Sequence, residues 1–212
     1  MTNQERRDAH LAYRADAPIF QELVKTRRLV QKLNAMDPAD EAGILALTRD
    51  LMRSQRVPYI APPFSCDYGF HISVGNNVFI NYNCTLLDVG KITLGDNCML
   101  APNVAIYTAG HPLHPASRNS GYEYGMDVTI GNNVWIGGSV VITPGVHIGE
   151  CCVIGAGSVV TKDVPAWSLA AGTPCRVIRR ITEADRKFYF KDREFDETVW
   201  EQVRKDGPDE TV

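Results

Sequence analysis

Aliphatic residues recur at every sixth position along the central part of this chain. From residue 130 onward the series runs without a slip through Ile130, Ile136, Ile142, Ile148, Ile154 and Val160. Four residues after each of these comes a second, smaller position, filled by Val134, Val140, Val146, Cys152, Ser158 and Val164. An amphipathic α-helix needs a period of about 3.6 and a half-exposed strand a period of about 2, so neither explains the pattern.

An earlier block repeats the rule before and after a two-residue insertion near Gly90. Its members are Val74, Ile80, Leu86, Leu94, Leu100 and Ile106. Hexapeptides of this kind are typical of a parallel β-helix, in which each supplies one short strand with its aliphatic side chain inward. Neighbouring coils then bury each other's faces. The pattern predicts a mainly β protein with a left-handed parallel β-helix over 58–180, in which Cys84, Cys98 and Cys152 fill small inward positions.

The two ends of the chain lack the six-residue period and predict helices. Residues 1–57 carry helical stripes broken at Asp37-Pro38, which indicates an α-helical cap. The stripes consist of Leu23, Val24, Leu29, Val30 and Leu33, then Ile44, Leu45, Leu47, Leu51 and Met52. Prolines 58, 62 and 63 lead into the β-helix. Residues 181–212 predict a closing C-terminal helix that starts at Thr182, followed by a tail.

A long loop interrupts the repeat at 107–129. It holds the string GHPLHPASRNSGYEYG, with two of the five histidines of the chain. Long interruptions within compact repeats usually carry function. We therefore look for catalytic residues in this loop.

Composition and charge narrow the classes of function. Hydrophobic residues make up 44% of the chain, charged residues 22%, and the formal net charge is −3, which excludes a strongly basic nucleic-acid-binding protein. The first residues carry charges where a signal peptide has its apolar core, and no stretch is apolar enough to span a membrane, so we expect a cytoplasmic protein. The six cysteines form no CxxC pair and no zinc-finger spacing, so no metal is expected.

Seven strings together resemble the maltose and galactoside O-acetyltransferase branch of the hexapeptide acyltransferases. They are YRAD at 13–16, PFSCDYG at 63–69, INYNCTLLD at 80–88, TAGHP at 108–112, IGNNVWIGG at 130–138, GAGSVVTKDVP at 155–165 and AGTPCRVIR at 171–179. The resemblance covers nearly the entire chain. It implies a homotrimer that transfers acetyl from acetyl-CoA to a sugar hydroxyl, with each active site in the cleft between two subunits.

The resemblance also assigns the catalytic residues. His111, in the TAGHP string, is the expected general base, because imidazole titrates near neutral pH and can take the proton of an attacking alcohol. Asn81 matches the asparagine whose amide faces the developing oxyanion, although a simple turn residue is the alternative. Glu123 is a candidate to orient the ring of His111. His114 is interpreted as a solvated loop residue and is left out of the site.

Acceptor and cosubstrate contacts follow from the same strings. Asp16, Asp67 and Asp88 match or neighbour the sugar-contacting positions, but each is also a candidate helix or turn cap. The galactoside branch has serine at position 67 and aspartate at position 89, where this chain has Asp67 and Val89, so the acceptor pocket differs from that branch. The acetyl-CoA contacts implied are Trp135, Gly138, Ala156, Thr161, Lys162, Arg176 and Arg179, the basic ones near the nucleotide phosphates.

Other functions stay open on the same fold, because fold does not dictate chemistry. One is a hexapeptide acetyltransferase with a non-sugar acceptor, and another is a non-catalytic sugar-binding scaffold. A γ-type carbonic anhydrase needs three zinc-binding histidines, and the strings around His71 and His147 do not match it. No P-loop and no GxGxxG string occurs.

Overall fold

The computed structural model describes residues 1–206, and its main body is a parallel β-helix of about six coils with three walls. The first wall contains Tyr59–Ile60, Phe79–Ile80, Met99–Leu100, Trp135–Ile136, Val153–Ile154 and Ser168–Gly172. The second wall contains Phe64–Cys66, Cys84–Leu87, Ala105–Tyr107, Val141–Ile142 and Val159–Val160. The third wall contains Ile72–Val74, Ile92–Leu94, Val128–Ile130 and His147–Ile148. Neighbouring strands within each of these sets pair in parallel.

The six-residue period sets the register of every wall. In the first wall Ile80 pairs with Leu100, Leu100 with Ile136, and Ile136 with Ile154, so aliphatic side chains stack along the axis. All four are 0% exposed. The structure confirms the predicted fold class, because the residues of both repeat blocks and the inward cysteines form one continuous core.

Asparagines turn several corners of the coil. Asn77, Asn97 and Asn133 have φ of 54°, 56° and 57°, in the left-handed region that asparagine tolerates better than most residues. Their side-chain amides form a ladder, in which Asn97 Nδ2 donates to Asn133 Oδ1 at 3.0 Å and Asn77 Nδ2 to Asn97 Oδ1 at 3.0 Å. Each corner thus gains hydrogen bonds along the axis as well as within its own coil.

Helices Asn3–Asp8, Ala17–Asn34 and Glu41–Met52 precede the β-helix. The break between the last two falls at the predicted Asp37-Pro38. Asp40 caps the third helix through its carboxylate and the backbone N–H of Gly43. Apolar side chains of these helices extend the core of the β-helix, namely Leu33, Ile44, Leu51 and Met52. Val24 and Leu45, which the stripes also predict as core residues, are instead 44% and 37% exposed.

The C-terminal region differs from the prediction of a helix starting at Thr182. Strand Cys175–Arg180 turns back antiparallel to Ser168–Gly172, and Glu183–Lys187 then makes only a 3₁₀ turn. Strands Phe188–Phe190 and Arg193–Glu194 form a hairpin, and the helix spans Glu197–Asp206. Thr182 and Asp185 do form a capping box, but the Asp185 side chain also binds Arg179, and the chain leaves the turn as a strand. The predicted tail at 207–212 lies outside the described residues.

Across residues 1–206, no helix combines the length and the apolar character that crossing a bilayer requires.

Candidate active site

The loop that interrupts the repeat is an ordered hairpin. It leaves the second wall after Ala105–Tyr107, forms strand Ala109–Gly110 and the short helix Pro115–Arg118, and returns through strand Tyr122–Gly125. Ala109 pairs with Gly125 and Gly110 with Tyr124. The ring of Tyr124 packs over Gly110 so closely that a Cβ there would lie 2.5 Å from a ring carbon. A larger residue at 110 would have to displace the Tyr124 ring beside His111.

His111 faces Glu123 across this hairpin. The distance from His111 Nε2 to Glu123 Oε2 is 4.0 Å, and the side chains are 57% and 25% exposed. An exposed imidazole is accessible to a substrate hydroxyl, and a carboxylate at this distance stabilises the imidazolium that forms when the ring takes a proton. The separation is longer than a hydrogen bond, as is common for catalytic groups without bound substrates. The structure thus brings together the two loop residues singled out in the sequence.

Asp67 and Asp88 follow second-wall strands in two successive coils. Asp88 is 0% exposed, and its carboxylate accepts hydrogen bonds from the backbone N–H groups of Asp67, Tyr68 and His71 at 3.0, 2.8 and 3.3 Å. Burial raises the pKa of Asp88 to about 6, against the effect of these donors. No part of the Asp88 side chain reaches the surface in this chain. Through its three hydrogen bonds Asp88 holds the turn at 67–71, and this turn positions the partly exposed Asp67.

The environment of Asp67 connects it to the loop. Burial raises its pKa, the charge of Arg27 opposes that shift, and the charge of Glu123 adds to it. Asp67 and Glu123 therefore lie close enough to affect each other. Together with His111 they mark one edge of the second wall as the candidate acceptor site.

Asp16 serves as a helix cap. Its Oδ1 accepts the backbone N–H of Ile19 at 3.3 Å, at the start of helix Ala17–Asn34, and its Oδ2 accepts Asn3 Nδ2 at 2.9 Å. Each carboxylate oxygen of Asp16 thus accepts one hydrogen bond within the N-terminal segment, in agreement with the capping alternative. His114 is likewise a cap, whose Nδ1 accepts the N–H of Ala116 in helix Pro115–Arg118.

Asn81 lies at the opposite edge of the second wall from His111. It follows strand Phe79–Ile80, at the corner between the first and second walls, and its Oδ1 accepts the backbone N–H of Tyr82 at 2.8 Å. Gly138 and Ala156 occupy the same corner in later coils, after strands Trp135–Ile136 and Val153–Ile154. These residues form a column parallel to the axis.

The remaining predicted cosubstrate contacts lie elsewhere. Thr161 and Lys162 follow the second-wall strand Val159–Val160, at the same edge as Asp67, and both are exposed. Trp135 is 50% exposed on the first wall, in register with Met99. One chain therefore divides most of the predicted site residues between the two edges of its second wall.

The two arginines lie in strand Cys175–Arg180 and are exposed. Arg179 forms a two-point contact with Asp185, from Nη1 at 2.8 Å and from Nη2 at 2.7 Å. This contact with Arg179 lowers the pKa of Asp185. Arg176 donates to the backbone carbonyl of Cys175 at 2.7 Å. Among residues 1–206, Arg179 therefore forms an ion pair and Arg176 does not.

Sequence reasoning missed the packing of the N-terminal segment against the loop. Strand Tyr13–Arg14 pairs antiparallel with Tyr122–Glu123. Buried Arg7 binds Glu22 and Asp8 at 2.7 and 2.8 Å, and its guanidinium lies 4.4 Å from the ring centroid of Tyr68. The Thr2–Glu5 capping box predicts the first helix, but no local signal reveals a partner so distant in sequence.

A cleft of about 280 Å³ lies beside this segment, lined by Arg7, Asp8, His10, His71, Val89, Gly90 and Lys91. None of the predicted catalytic residues lines it. The Nδ1–H of His71 donates to the backbone carbonyl of Asp88, 2.8 Å away, and burial lowers the pKa of His71. The described residues contain no group of three or more His, Cys, Asp or Glu side chains arranged to hold a metal ion.

Comparisons with known proteins identify the family of the chain. The family described as bacterial transferase hexapeptide (six repeats) matches residues 127–162, and the hexapeptide repeat of succinyl-transferase matches 71–108. The chain is 42% identical to galactoside O-acetyltransferase of Escherichia coli K12, over 83% of this chain and 87% of the relative.

Two solved structures are similar along almost their whole length. A maltose O-acetyltransferase from Clostridium difficile 630 is 47% identical, with a TM-score of 0.83, and covers 86% of this chain and 99% of its own. A galactoside acetyltransferase in complex with coenzyme A is 38% identical, with a TM-score of 0.85, and covers 92% of this chain and 99% of its own.

Proposed function

The chain belongs to the hexapeptide-repeat acetyltransferases, in the branch of the maltose and galactoside O-acetyltransferases, and we propose that it acetylates a sugar hydroxyl with His111 as general base. It is an acetyl-CoA-dependent O-acetyltransferase. The observation that supports the role of His111 is its exposed ring opposite Glu123, at 4.0 Å. An exposed imidazole backed by a carboxylate has the arrangement that general-base catalysis needs.

The reaction begins when Nε2 of His111 takes the proton of the acceptor hydroxyl. The oxygen attacks the thioester carbonyl, the C–O bond forms, and the carbonyl electrons move onto oxygen. The C–S bond then breaks, and the imidazolium returns the proton to the departing thiolate. Glu123 stabilises the imidazolium between these two transfers, and the side-chain amide of Asn81 donates to the oxyanion.

The acceptor binds against Asp67. Asp67 is partly exposed and lies on the same edge as His111, where its carboxylate can accept hydrogen bonds from sugar hydroxyls. Asp88 and Asp16 support this site by holding the turn at 67–71 and the start of helix Ala17–Asn34, respectively. Because Asp88 is buried, we assign it a positioning role in place of the direct sugar contact that the resemblance implies.

Acetyl-CoA lies along the column of Gly138 and Ala156, with Trp135 beside the thioester arm. Gly138 is partly exposed and Ala156 is exposed there, and the missing side chain of Gly138 leaves room for close approach of the pantetheine. Thr161, Lys162 and Arg176 are exposed and serve the nucleotide end, where cations attract phosphate. Arg179 contributes there only after it releases Asp185.

The division of these residues between two edges supports a homotrimer. Asn81, Gly138 and Ala156 lie at one edge of the second wall, whereas Asp67, His111 and Lys162 lie at the other. A second-wall strand separates the two sets within one chain. If the chains pack around a threefold axis, one edge of each chain meets the opposite edge of its neighbour, and the site is completed between them.

The acceptor class is tested by measuring thiol release from acetyl-CoA with glucose, maltose, a thiogalactoside, serine and chloramphenicol. We expect sugar-dependent release that falls about 10²- to 10⁴-fold in His111→Ala, the usual range for a lost general base. His114→Ala is the matched control, because it removes an exposed loop histidine that caps a short helix, and its activity should match the wild type. Release with only serine or chloramphenicol would indicate a non-sugar acceptor, and none with any acceptor would indicate a non-catalytic scaffold.

A further inference from the structure

A three-stranded antiparallel sheet joins the N-terminal segment to the loop at 107–129, which carries His111. Its strands lie in the order Tyr13–Arg14, Tyr122–Gly125, Ala109–Gly110. Tyr13 pairs with Glu123 on one side of the central strand, and Gly110 pairs with Tyr124 on the other. Continuing that second register by one residue places His111 opposite Glu123, in agreement with their contact.

His111, Glu123 and Tyr13 thus form one row across the sheet. Residues directly opposite each other on antiparallel strands project to the same face, so the three side chains share a face, with Glu123 in the middle. The carboxylate is flanked by the proposed base on one strand and by a phenol on the other.

The hydroxyl of Tyr13 has an unusual environment. Tyr13 is 0% exposed, and among the described residues its Oη has no partner in hydrogen-bonding geometry. Burial, followed by the neighbouring Tyr68 and Glu123, raises the pKa of Tyr13, so the hydroxyl keeps its proton. A buried hydroxyl without a partner lowers the stability of the folded state, and phenylalanine would fill the same space without that penalty.

The ring of Tyr13 is held in place from behind. It packs with Ile19, Tyr68 and Val89 in a small cluster next to the main core. Tyr68 is itself fixed beneath the guanidinium of Arg7, which is 2% exposed and bound to two carboxylates. The hydroxyl therefore has little freedom to move, whereas the partly exposed Glu123 can move towards it.

We propose that Tyr13 is a positioning residue that donates a hydrogen bond to Glu123 in the substrate-bound enzyme and thereby holds the Glu123 carboxylate against His111. This inference rests on the proposed function of His111. The two contacts in the row, Tyr13 with Glu123 and Glu123 with His111, both shorten when acetyl-CoA and the acceptor bind, as catalytic hydrogen bonds commonly do. The N-terminal segment thus contributes a residue that positions the Glu123 carboxylate.

The test compares Tyr13→Phe with Tyr122→Phe. Both remove one phenolic hydroxyl from the same sheet, but Tyr122 pairs with Arg14 one residue along the strand and so projects to the other face. For Tyr13→Phe we expect kcat to fall about tenfold, the usual effect of one hydrogen bond to a charged group. The KM for acetyl-CoA should not change, and the melting temperature should stay equal or rise. Tyr122→Phe should leave kcat unchanged.

A double-mutant cycle with Glu123→Gln separates the possible routes of action. If Tyr13 acts through Glu123, adding Tyr13→Phe to Glu123→Gln should cause little further loss. An equal tenfold loss in both backgrounds would overturn the proposal, because Tyr13 would then act on something else. Tyr13→Phe with wild-type kcat, or a kcat loss matched by a lower melting temperature, would also overturn it. If the wild type transfers no acetyl group, the proposed function fails first and this inference falls with it.

Discussion

The β-helix and the three-stranded antiparallel sheet formed by Tyr13–Arg14, Tyr122–Gly125 and Ala109–Gly110 are assembled on opposite principles. In the β-helix every strand pairs with the strand one coil away, so that Phe79 meets Met99 and Trp135 meets Val153, and the same contact recurs along the axis. In the antiparallel sheet Tyr13 meets Glu123, which lies 110 residues further along the chain, and this contact occurs once only. A repeated contact leaves a period in the sequence, whereas a single contact leaves none. The scaffold is therefore visible in the sequence and the arrangement of the site is not.

The scaffold should respond to core truncation without a change in chemistry. Ile142 is 0% exposed within the second wall, so Ile142→Ala should lower the free energy of unfolding by about 2–5 kcal/mol through lost burial and the cavity left behind. Denaturant titration at fixed protein concentration measures this loss, while kcat of the folded protein should not change. Val141→Ala, on the outer side of the same strand, is the control and should cost about 1 kcal/mol or less. Equal losses would contradict the assigned register.

The contribution of Asp88 to the free energy of unfolding should depend on pH. Because burial raises the folded-state pKa of Asp88 to about 6, from 3.8 for an unperturbed aspartate carboxyl, its contribution to stability is present below 3.8 and is lost as pH rises through about 6. The loss amounts to about 3 kcal/mol. The difference in unfolding free energy between wild type and Asp88→Asn should therefore shrink from pH 4 to pH 7. A difference that stays flat or grows with pH would contradict a buried carboxyl at this corner.

Much of the fold follows from the sequence for a physical reason. Positions such as Ile136 and Cys152 require only a side chain that fits an inward site of fixed size. Because this requirement recurs in every coil, it produces the six-residue period in the sequence. The helix break near Asp37-Pro38 is equally local. The predicted start of the C-terminal helix is wrong because the capping box at Thr182 is a local signal, whereas the pairing of Phe188–Phe190 with Arg193–Glu194 depends on tertiary context.

The sequence predicts the site residues one by one, but not their partners. The resemblance makes His111 the candidate base, and Glu123 becomes a candidate partner from its place in the loop, since both lie in one interruption of the repeat. The resemblance does not distinguish Asp67, which is partly exposed, from Asp88, whose carboxylate is enclosed by backbone donors. The role of Tyr13 needs the register of a sheet whose strands are remote in sequence.

The most direct test of a site shared between subunits is complementation between two inactive variants. His111→Ala and Asn81→Ala should each lack activity, and trimers that contain both chains should regain it, because each mixed trimer has one interface where an intact His111 meets an intact Asn81. Trimers of His111→Ala with the double variant are the control and should stay inactive. Recovered activity in the first mixture is the predicted result. No recovery in purified mixed trimers would contradict the shared site and place both residues in one chain.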